Sequence, residues 1–276
     1  MIDEIKKFIG ARAAFGEPIE YNGLTSYPVL VYDSTRFLDA VDCLKIPKNE
    51  TPDIEIIQMS YLEFLMNLII INEDILQQFL TIIDICFGIK CSEEYMQDSE
   101  NFKPDELLMQ TLPNGDSDFY INGRNLLIQF KNKSVSLTLN GCKFTPAKFD
   151  KLRHIVLLQN LIDYDGIEMS ADFKRVLNDF YKVKNRGIHQ PTIEEKMADI
   201  STNSPYTLED IKMLPLRSFD MMFESVLRKI DYMASKSLEP HLKSGGIEHW
   251  VYYHDKDKYS DVFSDANDIA KKVTSV

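Results

Sequence analysis

Cysteine is scarce in this chain of 276 residues. Only Cys43, Cys86, Cys91 and Cys142 occur, and no two stand in a CxxC pair. Cys86 and Cys91 are five apart, which suits neither a zinc knuckle nor a dithiol redox motif. Free, partly buried thiols in a reducing compartment are the expectation. Positive charge is also in short supply: 31 Lys and Arg stand against 43 Asp and Glu, for a formal net charge of −12. Such a chain repels phosphate backbones unless its cations are gathered in one place. The densest basic stretches, residues 143–153 and 174–186, are interrupted by acids or apolar residues. They read as solvated helix faces, so no nucleic acid is expected as a partner. No long apolar run exists either. Residues 64–72 cover about half a membrane span and are flanked by Glu63, Glu73, Asp74 and Asp84. They read as core helix, and no membrane is expected. Residues 1–8 have no long apolar core behind their charges, which speaks against a signal peptide.

Catalytic signatures are missing as well. There is no GxSxG, no GxxxxGK[ST] and no GxGxxG. The chain has five histidines. His249 and His254 are five apart, with His241 eight upstream of His249, and neither spacing suits zinc. Lys256 and Lys258 beside Asp255 and Asp257 would oppose a cation. Cys142 and His154 are a conceivable nucleophile and base, but they stand twelve positions apart across turn and helix and no third group marks the pair. No enzyme, cofactor or metal site is expected from these patterns.

What is present describes a folded protein. The hydrophobic fraction is 44% and the charged fraction 27%, values of a globular chain long enough to bury a core. Residues 27–32 form a short β-type run, and Asp33 and Ser34 can cap a helix over residues 36–44 that ends before Pro47. Residues 54–89 predict a helical hairpin. Ser60 caps a stripe of Leu62, Leu65, Met66 and Ile69, and Asn72 starts a second helix with Leu76, Phe79, Leu80 and Ile83 on one face. Residues 82–89 also fit a buried strand. Residues 91–117 are polar and loop-like. A three-stranded antiparallel meander follows: residues 119–121, the Asn122-Gly123 turn, residues 126–130, then Val135, Leu137 and Leu139 alternating with polar residues up to Asn140-Gly141. Thr145-Pro146 starts a helix bearing Phe149, Leu152, Ile155, Val156 and Gln159, and Ser170 caps another. The fold class is therefore α+β and predominantly α-helical. It divides into a mainly helical region 1–112, a small β-meander 113–145 and a C-terminal helical bundle 146–276.

The last third carries the candidate interaction residues. Thr192 with Glu195 and Thr207 with Asp210 have capping-box spacing. Residues 216–238 read as one helix of about six turns, with Phe219, Met222, Phe223, Val226, Leu227 and Ile230 on its apolar face. The only tryptophan follows in Gly246-Ile247-Glu248-His249-Trp250. Phe219, Met222, Phe223, His249 and Trp250 are an interaction or packing set, and Trp250 is expected to close the bundle. Met59, Met66, Met109, Met213, Met221, Met222 and Met233 are either ordinary core or the adaptable lining of a groove. Residues 193–223 also trace a helix-turn-helix outline. Its recognition region, however, carries Glu209 and Asp210 and has only Lys212 and Arg217 to hold phosphates.

Several of these stretches carry a family resemblance. Tyr206-Thr-Leu-Glu-Asp-Ile211, Leu214-Pro-Leu-Arg-Ser-Phe219 and Ile247-Glu-His-Trp250 resemble the C-terminal part of bacteriophage proteins from structural gene clusters of Gram-positive hosts. Asn22-Gly-Leu-Thr-Ser-Tyr-Pro28 and Met59-Ser-Tyr-Leu-Glu-Phe64 resemble their N-terminal part. The chain is thus similar to tail-assembly chaperones and related tail morphogenesis proteins, over roughly half its length, with an added β-meander that many small members lack. The resemblance implies a non-enzymatic protein of the host cytoplasm that binds another phage polypeptide, such as the tape-measure protein. Homo-oligomerisation is compatible with it. The alternatives are a structural virion protein forming a ring or connector, and a helix-turn-helix DNA-binding regulator.

Overall fold

A computed structural model describes residues 12–13, 15–48, 54–91, 103–113, 116–131, 134–162 and 191–238, with isolated positions between 175 and 189. Ser170, Gly187, the Gly245-Gly246 break, His249 and Trp250 lie outside the described residues. The chain forms two compact units, Met1–Glu168 with Ser204–Met221, and Met169–Asn203 with Met222–Val276. The class is α+β, with an antiparallel sheet of five strands and a larger helical part.

The first unit opens with a hairpin, β1 (Ile19–Tyr21) and β2 (Leu24–Ser26), turned at Asn22 and Gly23, both with positive φ. The run 27–32 is not a strand. Leu30 makes one isolated bridge to Pro215, with Val31 N–H donating to the Leu214 carbonyl and Leu216 N–H to the Val29 carbonyl. The two donors that would extend the ladder are used elsewhere: Val29 N–H donates to the Asn160 side chain and Leu214 N–H to the Ile211 carbonyl. Val31–Asp33 instead winds into a 3-10 turn, to which the Ser34 hydroxyl donates at the Val31 carbonyl, 2.6 Å. Helix α1 (Ser34–Ala40) follows and tightens into a second 3-10 turn, Val41–Leu44, before Pro47. Asp33 makes no side-chain cap bond.

After α2 (Ile54–Gln58) comes the expected helical hairpin, α3 (Tyr61–Ile71) and α4 (Glu73–Phe87). The Ser60 hydroxyl accepts the Glu63 N–H, and the Asn72 side chain accepts the N–H groups of Asp74 and Ile75. All eight stripe residues named from the sequence are buried. Residues 82–87 continue α4 and are not a strand; Gly88 N–H returns to the Asp84 carbonyl and closes the helix.

The meander has five strands, not three. They are β3 (Leu107–Thr111), β4 (Ser117–Ile121), β5 (Leu126–Lys131), β6 (Ser134–Leu139) and β7 (Cys142–Phe144), antiparallel in chain order. The additional strands are β3, in the stretch read as loop, and the short β7. Side-chain alternation buries Phe119, Ile121, Leu126, Ile128, Val135, Leu137, Leu139 and Phe144. Helix α5 (Pro146–Gln159) packs against β6, β7 and α3. Thr145 precedes it with no side-chain cap bond, leaving Pro146 as the start signal. Helix α7 (Leu208–Lys212) and the first residues of α8 (Leu216–Leu238) complete this unit. In the second unit lie α6 (Ile193–Asn203) and the remainder of α8, where Ile200 and Phe223 are buried and the Lys196 ammonium sits 5.4 Å over the Phe223 ring.

Candidate interaction surface

Local hydrogen bonding fixes where α6 and α7 begin. Thr192 N–H donates to the Glu195 carboxylate at 2.8 Å, and Glu195 N–H donates back to the Thr192 hydroxyl at 3.2 Å. Thr207 and Asp210 repeat the exchange at 2.9 and 3.2 Å. Both are reciprocal caps that satisfy N–H groups at a helix start. The Glu195 carboxyl is held below the usual range by the Thr192 backbone and then by His189. The Asp210 carboxyl is lowered by the Thr207 side chain and backbone.

Helix α8 spans the residues expected of it, Leu216–Leu238. At about 100° per residue, Phe219, Met222, Phe223, Val226, Leu227, Ile230 and Met233 fall on one side. Phe219 and Phe223 are buried, and Met222 and Val226 are half-buried. Further along, the stripe emerges: Leu227 is 41% exposed, Ile230 43% and Met233 60%. An apolar stripe that turns outward over successive turns has the form of a contact surface. The methionines follow the same trend. Met66 alone of the seven is fully buried. Met59 and Met222 are half-buried, and Met109, Met213, Met221 and Met233 are exposed.

The other candidates are dispersed. His154 is buried in α5 with Nδ1 2.7 Å from the Asp150 carbonyl oxygen, and exposed His189 pairs with Glu195 at 2.7 Å. Cys142, half-buried on β7, packs its sulfur beside Gly23. Burial pushes the Cys43 thiol up to about 12 and raises Cys86 further, so both stay protonated and poorly nucleophilic at neutral pH. Among the described residues, no group of three or more His, Cys, Asp or Glu is placed to hold a metal ion. No described helix is long and apolar enough to cross a membrane. The two cations of the recognition region are already engaged: Lys212 with Glu209 at 2.7 Å, and Arg217 with the Leu158 carbonyl at 2.8 Å.

A cleft of about 570 Å3 lies beside β4 and β5, lined in part by Lys90, Tyr120, Arg124, Asn125 and Asn140. Several of its polar groups are already engaged. Arg124 is bound to Asp105 and to the Ile89 carbonyl, and Asn125 donates to Asn140. No protein-family model, no curated protein and no solved structure matches the chain.

Proposed function

We propose that this chain is a non-enzymatic bacteriophage assembly protein, a tail-assembly chaperone that holds another phage polypeptide in the host cytoplasm. The observation that carries the reading is the outward part of the α8 stripe, Leu227, Ile230 and Met233. Side chains at this spacing accept the i, i+3, i+4 face of an amphipathic helix. Removing their apolar area from water is favourable at about 25 cal/mol per Å2. Flexible methionines let one surface fit several registers of a long helical partner. The tape-measure protein is the partner that the phage resemblance supplies.

The test is co-expression with the tape-measure protein and affinity capture. Leu227→Asp with Ile230→Asp should abolish capture and leave the melting temperature close to wild type, because both side chains are solvent-exposed in the free protein. Capture undiminished by the double substitution sinks the assignment of this surface. Stoichiometric copies in purified particles would instead favour the ring or connector. A duplex-DNA shift with steep salt dependence would favour the regulator.

A further inference from the structure

Strand β3 is an edge strand without a charge, Leu107-Leu-Met-Gln-Thr111. Its inner side pairs with β4 from Leu107↔Ile121 to Thr111↔Ser117. Hydrogen bonds at both ends set the phase of this ladder: Asn122 N–H donates to the Glu106 carbonyl, and Leu112 N–H to the Asp116 carbonyl. Inward-bonding residues alternate in an antiparallel pair. Leu108 and Gln110 therefore bond toward β4, and the N–H and C=O groups of Leu107, Met109 and Thr111 point away from the sheet. Among the described residues nothing pairs with that outer side.

The side chains are unfinished in the same place. Register puts Met109, Phe119, Ile128, Leu137 and Phe144 in one row across the five strands. The last four are buried, and Met109, at the end of the row, is 61% exposed. The core layer thus runs out at the edge of the sheet with its final apolar member in water. Natural edges are normally blunted by charge, proline or a bulge. This one has none within the strand.

We infer that β3 is a self-pairing edge, at which two copies of the chain join antiparallel about a two-fold axis through Met109. The outward groups are self-complementary in that register. Met109 faces Met109 of the second copy, and Leu107 faces Thr111 in both directions, with two hydrogen bonds per facing pair. The apolar row continues across the axis. Charge also permits it: the register sets Glu106 opposite Leu112 and Asp105 opposite Pro113, so these acids do not face acids despite the net charge of −12. Pro113 then ends the ladder. The interface lies in the first unit and does not depend on what α8 binds.

Sedimentation velocity of the full chain over a range of concentrations tests this. The wild type should form a dimer. Met109→Pro removes an N–H that β4 does not use, and Met109→Lys places charges across the axis. Each should weaken the dimer roughly tenfold or more. Far-UV circular dichroism should be unchanged in both. Met109→Cys, with Cys91 and Cys142 replaced by serine, should be joined by a short bifunctional thiol reagent, whereas the same background with Met109 retained should not. A wild type that stays monomeric throughout overturns the inference, even if β3 takes an extended segment of another protein. A dimer indifferent to both substitutions, or no cross-link through position 109, overturns it equally.

Discussion

Two glycines with nearly the same backbone separate strain from crowding. Gly16 has φ 68 and Gly88 has φ 66, a region that costs an L side chain about 1 kcal/mol. Around Gly88 nothing lies within 4 Å of where a Cβ would be, whereas at Gly16 the added carbon would run into the ring of Pro215. Gly16 is held there by its N–H to the Ala13 carbonyl, and Glu17 N–H bonds to the Arg12 carbonyl. Gly88→Ala should therefore cost about 1 kcal/mol and Gly16→Ala about 2–3 kcal/mol, the excess being overpacking. Urea midpoints measure the difference directly. Equal shifts for the two variants would mean that the approach of Pro215 to Gly16 is not maintained in solution.

At the scale of elements, helix starts respond to acid. The carboxyls of Glu195 and Asp210 are lowered in the folded chain by the caps they make. A lowered carboxyl contributes stability above its unfolded pKa and loses it as pH falls through the folded one. Helical signal from α6 and α7 should hold at neutral pH and fall in acid, below the ordinary carboxylate range. Glu195→Gln with Asp210→Asn should flatten that part of the circular dichroism titration, and an identical acid limb in the variant would refute the linkage. Such caps were legible in the sequence because their chemistry spans four residues. So was the α8 stripe, although a stripe gives a direction and not a partner, which hid the exposure of Leu227, Ile230 and Met233. The hairpin β1–β2 was missed although Asn22-Gly23 signals it, because three-residue strands are too short to show alternation. Strand β3 was missed because an edge strand with Leu107, Leu108 and Met109 in succession has no alternation to read. The run 27–32 misled for the opposite reason: its β-type composition is real, but the N–H groups of Val29 and Leu214 donate to Asn160 and Ile211, which confines it to a single bridge.

At the scale of the molecule, α5 holds together segments far apart in the chain, which spacing alone could not reveal. Its polar residues suggest a wet face, yet Arg153, His154, Gln159 and the following Asn160 are all buried. Arg153 donates to the Leu44 carbonyl at 3.1 Å and lies 3.5 Å over the Tyr61 ring. Gln159 accepts the Ser26 hydroxyl at 2.7 Å and donates to the Ser26 carbonyl at 3.2 Å, while Asn160 accepts the Val29 N–H at 2.9 Å. The two amides thus fasten β2 and the chain after it to the end of α5. Gln159→Leu keeps the volume near constant and removes both hydrogen bonds that Gln159 makes to Ser26, which is itself fully buried. The hydroxyl can turn, but the carbonyl loses a donor in a place water does not reach. The expected cost is about 2 kcal/mol, which lowers Tm by about 5 °C in a domain of this size. Ser26→Ala alone should cost less, because it leaves Gln159 able to donate to the same carbonyl, and the double variant should be less than additive if the pair acts as one unit. Strict additivity in a double-mutant cycle read by thermal denaturation would show that Gln159 and Ser26 do not couple, leaving the Asn160–Val29 and Lys148–Asn22 bonds and apolar packing to hold this part of the chain to α5.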